Sequence, residues 1–351
     1  MKKYLCLLIA AMCIFSAAGC AAADADDPSS AQSADSVKDA NNREIFAMDT
    51  YMTLTAYGER SSQALDAAED EIRRLDKLLS TGDENSEVSR INSSGGGTVS
   101  EDTAALLGYS KRIFEETEGS FDITVYPLMK LWGFTEEKQS VPDEEKIKSA
   151  LADTGFDKLD YSGGMLTLGK GQGIDFGGIA KGYTSGRVMK IFEEYGIGSG
   201  IISLGGNVQC CGKKQDGSLW RCGITDPDNP GDSSMLAGIV SVSDKAVITS
   251  GGYERFFTEN GKTYHHIMDP ATGYPSDSDL VSVTIVSSDA TLADGLSTAC
   301  FVMGMENACA YWRAHSGEFD MVLIDRDKKL YITSGLEGSF ESSWKYDMIN
   351  A

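Results

Sequence analysis

The chain has 351 residues, of which 41% are hydrophobic and 38 are glycine, so it can form one large domain or two modest ones. Its 31 Lys and Arg residues against 53 Asp and Glu residues give a formal charge of −22 at pH 7. This acidic balance repels phosphate backbones and excludes nucleic-acid binding through a basic groove as the main function. A polyanionic ligand would need a cation. Eight cysteines are too few for a disulfide scaffold.

The amino terminus has the pattern of an export signal. Two lysines precede an apolar run from Tyr4 to Phe15, which is too short to cross a hydrocarbon core of about 30 Å at about 1.5 Å per residue. Small residues then lead into Cys20, and this arrangement resembles a bacterial lipoprotein cleavage site. We expect residues 1–19 to be removed and Cys20 to carry the lipid. An ordinary secretory signal cut nearby is the alternative.

The segment 20–43 is composed mainly of Ala, Asp, Ser and Asn, with no apolar period. Such a composition cannot bury enough surface to order itself, so we predict a disordered tether. The folded domain is then predicted over 44–351. Held only by the lipid, it would stand off the extracytoplasmic face of a bacterial membrane.

The predicted elements of the folded part mix strands and helices. A strand over 44–58 is followed by a helix whose apolar residues recur every three or four positions, with Ser61 or Ser62 as its cap. Further helices are predicted at 102–118, 143–151, 178–195, 290–303 and 305–316. Later strands are predicted at 200–204, 237–242, 281–287, 320–325 and 329–333. No strict βαβ alternation is visible, so the predicted fold class is α+β.

Several common enzyme signatures are absent. No G-x-G-x-x-G follows a strand and opens a helix, and no G-x-x-x-x-G-K-[ST] occurs in the chain. These absences exclude the Rossmann and P-loop interpretations. The chain has three histidines but no H-E-x-x-H motif, and no G-x-S-x-G turn is present.

Glycines surround the predicted helix start at 178, in the run from Asp175 to Tyr183. Glycine lets a ligand approach bare backbone, and the exposed N–H groups and dipole of a helix start favour an anion. Lys181 lies one turn into this helix, where it can reach a phosphate. The alternative is a tight turn with a solvated lysine.

The run from Tyr264 to Pro275 contains two adjacent histidines, His265 and His266. In a regular strand they point to opposite sides, so only one of them can face a site. A neutral imidazole is the natural general base near pH 7. A histidine with a purely structural role is the alternative.

Asp294 and Thr298 are four residues apart on a predicted helix and therefore share a face. They offer one carboxylate oxygen and one hydroxyl oxygen to a hard cation. Two oxygens suit Mg²⁺, which keeps waters and completes its shell with substrate phosphate. The alternative is a helix start capped by Ser288 or Thr291, in which Asp294 only favours the first turn. Two more glycine turns, Ser203–Asn207 and Thr249–Arg255, follow apolar segments.

These segments, in this order, resemble the FAD:protein FMN transferases, the ApbE family of flavin-trafficking lipoproteins. The resemblance also includes Met48-Asp49-Thr50 and the stretches 79–81, 85–92, 119–124 and 127–128, so it covers nearly everything after the tether. It implies a single ApbE-like, T-fold-related domain of mixed sheets with packed helices. It also implies a Mg²⁺-dependent reaction that splits FAD at its pyrophosphate, joins FMN by a phosphoester to a Thr or Ser hydroxyl of a partner flavoprotein, and releases AMP.

The resemblance carries over to individual positions. The implied metal ligands are Asp294, Thr298 and the backbone carbonyl of Gly178, and the implied histidine near the reacting phosphate is His266. The implied FAD contacts are Met48, Ser120, Phe121, Asp122, Asp175, Lys181 and Met268. Gly82 stands where many relatives have an aromatic residue over the flavin ring, and the candidates for replacing it are Tyr51, Tyr126 and Tyr253.

The resemblance and the residue chemistry agree on a metal. Charge must be neutralised at the bridging oxygen as AMP departs, and a cation does this better than Lys181 alone. We expect His266, or a nearby carboxylate, to take the proton from the acceptor hydroxyl. The chain lacks a D-x-x-x-[GS]-A-[ST] acceptor sequence of its own. The expected acceptor is therefore another exported protein, such as a subunit of a membrane electron-transfer complex.

Two other functions share these residues. In an FAD pyrophosphatase, water would replace the acceptor hydroxyl, and FMN and AMP would both be released. A non-catalytic flavin-binding lipoprotein would share the signal, the tether and the acidic surface, but would not need the pair formed by Asp294 and Thr298.

Overall fold

The structure is a computed structural model that describes residues 40–136, 138–232 and 234–351. The predicted signal, the predicted lipid site at Cys20 and most of the predicted tether lie outside the described residues. The first strand begins at Ala40, so the folded part starts slightly before the predicted boundary at 44. Within the described ranges, no helix combines the length and the hydropathy needed to span a bilayer.

The described residues form seven α-helices, and each buries part of its surface. They are α1 (Ser61–Leu79), α2 (Glu87–Ser94), α3 (Glu101–Glu116), α4 (Tyr126–Trp132), α5 (Glu144–Ala152), α6 (Ala180–Glu194) and α7 (Ala290–His315). Short 3₁₀ helices lie at Ile123–Val125, Phe156–Lys158 and Ser334–Leu336. Ser61 is the first residue of α1 and donates its hydroxyl to the Gly58 carbonyl oxygen, so neither it nor Ser62 caps the helix as predicted.

The described strands form one large sheet and three small ones. They are β1 (Ala40–Ala47), β2 (Thr50–Tyr57), β3 (Gly96–Thr98), β4 (Asp160–Ser162), β5 (Met165–Thr167), β6 (Ser199–Leu204), β7 (Asn207–Gly212), β8 (Trp220–Thr225), β9 (Leu236–Val242), β10 (Ala246–Gly251), β11 (Phe256–Glu259), β12 (Lys262–His265), β13 (Leu280–Ser287), β14 (Phe319–Asp325), β15 (Leu330–Thr333), β16 (Phe340–Glu341) and β17 (Tyr346–Ile349). The nine-stranded sheet has the order β1-β2-β6-β7-β10-β13-β14-β15-β17. Its β15–β17 pair is parallel and its other pairs are antiparallel, so the prediction of an α+β fold with mixed sheets is confirmed.

The region predicted as one strand over 44–58 is a hairpin. Between β1 and β2, Met48 and Asp49 have φ values of 49° and 57°, which suit a two-residue turn that matches the twist of the strands. The single-strand prediction was wrong because neither turn residue is glycine, so the usual turn signature is missing.

Helix α7 breaks at Gly304, where φ is 74° and ψ is 176°. The Asp279 Oδ1 atom accepts the N–H of Met305 at 2.9 Å, which caps the second segment. The two helices predicted at 290–303 and 305–316 are therefore confirmed. At the start of α7 the cap is Asp289, whose side chain accepts the Leu292 N–H at 3.0 Å, instead of Ser288 or Thr291.

One end of the nine-stranded sheet positions the candidate site. The antiparallel pairings place Ala47, Leu204 and Gly251, the last residues of β1, β6 and β10, at this end. Helices α6 and α7 pack against each other and against this sheet. Ala40, the first residue of β1, lies at the opposite end.

Candidate active site

The candidate site forms where the start of α6 meets α7. A Cβ atom on Gly182 would lie only 2.1 Å from the Ala290 carbonyl oxygen and 2.5 Å from the Asp294 Cβ atom. The close approach of α6 to α7 allows a direct hydrogen bond, in which the Asp294 Oδ2 atom accepts the Gly182 N–H at 2.7 Å. Gly182 is therefore required by the contact between the helices, which leaves no room for a side chain.

The three predicted metal ligands lie near this contact. Asp294 and Thr298 lie one turn apart on α7, and Gly178, in the loop before α6, lies beside Thr298. That they bind a metal stays a prediction. The Thr298 Oγ1 atom is 3.6 Å from the position that a Cβ on Gly178 would take. The Gly182 N–H engages Oδ2 of Asp294, so Oδ1 is the carboxylate oxygen available to a cation.

This donor set fits Mg²⁺. A carboxylate, a hydroxyl and a carbonyl are the hard oxygen ligands that Mg²⁺ prefers, and Mg²⁺ commonly completes its shell with water and substrate phosphate. The part of the chain that the structure describes contains no group of three or more His, Cys, Asp or Glu residues that could hold a metal. A site here would therefore be an open one with a single protein carboxylate.

His266 follows β12 and is held by the backbone of Arg255. Its N–H donates to the Arg255 carbonyl oxygen at 3.0 Å, and its ring Nδ1 atom lies 3.2 Å from the same oxygen. A carbonyl oxygen only accepts, so Nδ1 carries the ring proton and Nε2 is left as the proton acceptor. Desolvation and the charge of Arg255 lower the pKa of His266 to about 3, and Lys181 adds to this shift. The ring is therefore neutral at pH 7.

His265 has a different environment. Its ring packs edge-on against Phe301, with 5.4 Å between ring centroids. Desolvation lowers the pKa of His265. The two histidines thus have separate surroundings, as the alternation along a strand predicts, and His266 is the one near the charged residues of the site.

Glu254 is a neighbour of the site that the sequence did not single out. Desolvation by the surrounding protein raises the pKa of Glu254 to about 7; Lys181 and Arg255 oppose this rise and Asp294 adds to it. Glu254 is nevertheless exposed to solvent and does not belong to the core. Its position in the glycine-containing segment 249–255 was the only signal in the sequence.

Asp175 lies in the glycine turn before α6. Its Oδ1 atom accepts the Gly177 N–H at 2.8 Å. The preceding residue, Ile174, is clamped by Asn92, which donates to the Ile174 carbonyl at 2.8 Å and accepts the Ile174 N–H at 2.7 Å. Burial raises the pKa of Asp175, while the Gly177 N–H, Arg255 and Lys181 lower it. Asp175 and Lys181 thus lie within electrostatic reach of each other, and that they contact FAD stays a prediction.

Met48 and Phe121 also lie at this end of the molecule. Met48 is half-buried in the β1–β2 turn, where the Thr184 hydroxyl of α6 donates to its Sδ atom at 3.7 Å. The buried Phe121 ring lies 3.1 Å from the position of a Cβ on Gly178. Both residues therefore border the start of α6.

Asp122, Ser120 and Met268 have mainly structural contacts in the protein. Asp122 Oδ1 accepts from the backbone N–H and hydroxyl of Thr124, and its Oδ2 accepts the Phe156 N–H at 3.0 Å. Ser120 is half-buried after α3, and its N–H donates to a backbone carbonyl. Met268 is buried in an apolar cluster around Trp132. That these three contact FAD stays a prediction.

The three aromatic candidates for stacking on the flavin differ in position. Tyr51 is 54% exposed and packs edge-on against Phe46. Tyr253 lies against Gly251, within 2.4 Å of the position of a Cβ there. Burial raises the pKa of Tyr126, and the charge of Asp175 adds to the rise. Tyr126 is therefore the candidate with a predicted FAD contact as its neighbour.

Comparison with known proteins places this architecture in a family. Residues 48–323 match the profile of the ApbE family. The chain belongs to the ApbE family. It is 31% identical over 318 residues to the FAD:protein FMN transferase of Treponema pallidum, which covers 84% of this chain and 87% of that protein. A protein of the same name from Klebsiella pneumoniae is 33% identical over 269 residues, or 75% of this chain and 82% of that protein.

Solved structures of ApbE proteins have the same fold. The crystal structure of the ApbE protein from Thermotoga maritima has a TM-score of 0.80 and 31% identity, covering 86% of this chain and 99% of that chain. The apo form of flavinyl transferase ApbE from Pseudomonas stutzeri has a TM-score of 0.74 and 29% identity, covering 82% of this chain and 92% of that chain. The predicted single ApbE-like domain is confirmed.

Two cysteines of this ApbE protein lie on α7. Cys300 and Cys309 are both buried, and burial raises the pKa of each thiol. They pack with the main apolar core. They therefore act as small hydrophobic residues of the core.

Proposed function

We propose that the chain is a Mg²⁺-dependent FAD:protein FMN transferase whose acceptor is a Thr or Ser of an exported flavoprotein. The acceptor oxygen bonds to the FMN phosphorus, the bond from that phosphorus to the bridging oxygen breaks, and AMP leaves with that oxygen. The observation that carries this proposal is the convergence of Asp294, Thr298 and Gly178. Lys181 and His266 lie within electrostatic reach of each other in the same cleft.

The Asp294 carboxylate, the Thr298 hydroxyl and the Gly178 carbonyl would hold Mg²⁺. When bound, Mg²⁺ neutralises the charge that develops on the pyrophosphate oxygens as AMP leaves. This contribution matters in a chain with a formal charge of −22, which otherwise repels a dinucleotide. Lys181 and the N–H groups at the start of α6 provide further attraction for the phosphates.

His266 accepts the proton of the acceptor hydroxyl at Nε2. The Arg255 carbonyl keeps the proton of the neutral ring on Nδ1 and so fixes the tautomer that can do this. In the ligand-free cleft, desolvation and the Arg255 charge lower the pKa of His266 to about 3, which makes the ring a weak base. The negative charge of FAD phosphates beside the ring favours imidazolium and raises that pKa.

The proposal is tested by the Asp294→Asn variant, with Asp294→Ala beside it. Asparagine keeps an oxygen that can accept the Gly182 N–H but loses the negative charge. The variant therefore distinguishes the role of Asp294 in holding α6 from its proposed role in binding Mg²⁺. We expect Asp294→Asn to lower transfer by about a hundredfold or more while its melting temperature without Mg²⁺ stays within a few degrees of wild type. Asp294→Ala should lose both transfer activity and the stability that the hydrogen bond to Gly182 provides. Transfer at the wild-type rate by Asp294→Asn would contradict the proposed metal site.

The readout is the intact mass of a candidate acceptor flavoprotein incubated with FAD, Mg²⁺ and the enzyme. A gain equal to FMN less water means transfer, and excess EDTA should prevent it. If FMN and AMP accumulate equally with and without an acceptor, and the acceptor mass does not change, the chain is an FAD pyrophosphatase instead. If FAD is bound but never cleaved, the chain is a flavin-binding lipoprotein.

We also propose that Cys20 carries a lipid that holds the domain at the extracytoplasmic face of a bacterial membrane. The support is the pattern of the first twenty residues, together with the position of Ala40 at the end of the sheet opposite the candidate site. A tether that joins the domain there does not begin beside the site. Cys20→Ala should release the protein from the membrane fraction, and a variant that stays tightly bound would contradict the anchor.

A further inference from the structure

Three hydroxyl groups, those of Ser297, Ser250 and Thr298, form a short chain. The Ser297 hydroxyl donates to the Asp294 carbonyl oxygen at 2.8 Å. The Ser250 Oγ atom, near the end of β10, lies 2.7 Å from Ser297 Oγ. The same Ser250 oxygen lies 3.4 Å from Thr298 Oγ1, which is the longer of its two contacts. The hydroxyls thus link the backbone of one proposed metal ligand to the side chain of another.

The direction of each hydrogen bond follows from its fixed end. A backbone carbonyl only accepts, so Ser297 must give its single proton to the Asp294 carbonyl. Ser297 Oγ can then only accept, so Ser250 donates to it. With its proton used, Ser250 can only accept from Thr298. Thr298 is therefore the donor in its 3.4 Å contact with Ser250, which leaves the lone pairs of Thr298 for another partner.

We propose that Ser250 is a positioning residue that turns the Thr298 hydroxyl into an oriented ligand for the divalent cation. This inference rests on the proposed metal site and deepens it. A neutral hydroxyl coordinates a cation only through a lone pair, so its proton must be held away from the cation. Ser250 performs this through Thr298 and does not itself touch the cation. Partners that orient metal ligands typically change metal affinity by about 10- to 100-fold.

A neighbouring hydroxyl pair provides a matched control. Thr249, next to Ser250 on β10, lies 2.8 Å from the Thr284 hydroxyl of β13. This pair joins two strands of the same sheet but is not part of the chain that leads to Thr298. Thr249→Val therefore removes a partly buried hydroxyl from the same strand without disturbing the proposed orientation of Thr298.

The experiment measures Mn²⁺ binding to the full chain without FAD, by titration followed with electron paramagnetic resonance. We expect Ser250→Ala to weaken Mn²⁺ binding about 10- to 100-fold, with Thr249→Val unchanged and Ser250→Thr close to wild type. If Ser250→Ala fails to fold, Ser250→Cys replaces it, because the thiol has the same connectivity as the hydroxyl, although sulfur is larger, and accepts hydrogen bonds weakly. The expected loss of affinity is the same.

The outcomes separate this inference from the proposed function. Mn²⁺ binding that Asp294→Asn abolishes but Ser250→Ala leaves at wild-type affinity would overturn the role of Ser250 alone. Equal weakening by Thr249→Val would also overturn it, because strand disruption would then explain the effect. Wild-type protein that binds no Mn²⁺ through Asp294 would overturn the metal site itself.

Discussion

Neighbouring helices hold α6 on two sides, and the kind of contact differs between the two sides. On the side of α7, the backbone of Gly182 touches the Asp294 carboxylate with no side chain between the helices. On the other side, the Tyr183 hydroxyl donates to Asp102 of α3 at 2.7 Å, and Arg187 Nε donates to Glu71 of α1 at 2.9 Å. The contact with α7 leaves no space between the two helices. The contacts with α1 and α3 are made by longer side chains that can change conformation.

The charged side is a connected network. Arg74 donates from Nη1 to Asp102 at 2.8 Å and from Nε to Glu71 at 2.7 Å, so it links both acids that hold α6. Nearly half of the Arg74 side chain is exposed, so water and salt screen its ion pairs, although only 13% of the Asp102 side chain is exposed. We infer that the position of α6 at the candidate site depends mainly on the close contact with α7, and less on the charged contacts with α1 and α3.

The largest effect is expected from Gly182→Ala. The new Cβ would have to displace a backbone oxygen, because it would lie 2.1 Å from the Ala290 carbonyl, so we expect a loss of about 3 kcal/mol in unfolding free energy. Transfer should fall with it, since Asp294 moves. Denaturant unfolding and acceptor mass are the measurements.

Gly186→Ala, one turn later on α6, is the control for this substitution. The nearest atom to its Cβ would be the Thr291 hydroxyl oxygen at 4.0 Å, so the methyl group fits. Alanine is favoured over glycine inside a helix by about 1 kcal/mol, and we expect stabilisation. Equal destabilisation by both substitutions would mean that the close contact with α7 has no special importance.

The second-largest effect is expected in the pH dependence of stability, through Glu254 beside the candidate site. Desolvation raises the pKa of Glu254 to about 7, above its ordinary value of 4.5, despite Lys181 and Arg255. Between these values the folded state binds more protons than the unfolded state, so this group makes stability fall as pH rises. We expect the melting temperature of metal-free protein to fall from pH 5 to pH 8, and Glu254→Gln to remove much of that fall. An unchanged pH dependence in the variant would contradict this assignment.

The smallest effect is expected from Glu71→Gln on the charged side. A side-chain hydrogen bond from Arg74, opposed by desolvation, lowers the pKa of Glu71 below 4.5. The stabilisation is thus present above pH 4.5 and is lost as the pH falls through the lower folded-state value. We expect a loss below about 1 kcal/mol at pH 7, shrinking in high salt and in acid. Unfolding curves that show a loss as large as that of Gly182→Ala would remove the distinction between the two sides.

Local pattern predicted α1, α3, α5, α6 and both segments of α7, but it missed the short helices α2 and α4. The apolar periodicity of α1 and the break at Gly304 both follow from residues a few positions apart. The strands β7, β8, β10, β11 and β12 were missed because polar residues or glycines interrupt their apolar pattern, and β3, β4, β5, β16 and β17 because they have only two to four residues. The β1–β2 turn was missed because its positive φ values fall on Met48 and Asp49.

The candidate site was predicted in its parts but not in its assembly. The sharing of one helix face by Asp294 and Thr298 follows from a spacing of four. That Gly178 lies beside them depends on packing between α6 and α7, which no local pattern shows. Ser250, Ser297 and Gly182 were missed as site residues for the same reason, since their importance comes from distances to a distant part of the chain.

The break at Gly304 divides α7 into two helical segments that can move separately. Asp294 and Thr298 lie before Gly304, and the residues after it begin a new segment with their own cap from Asp279. A continuous helix would transmit a twist or a shift along its whole length, whereas an interrupted one absorbs it at the joint. A small shift of the segment after Gly304 therefore need not rotate Asp294 and Thr298, the two predicted metal ligands.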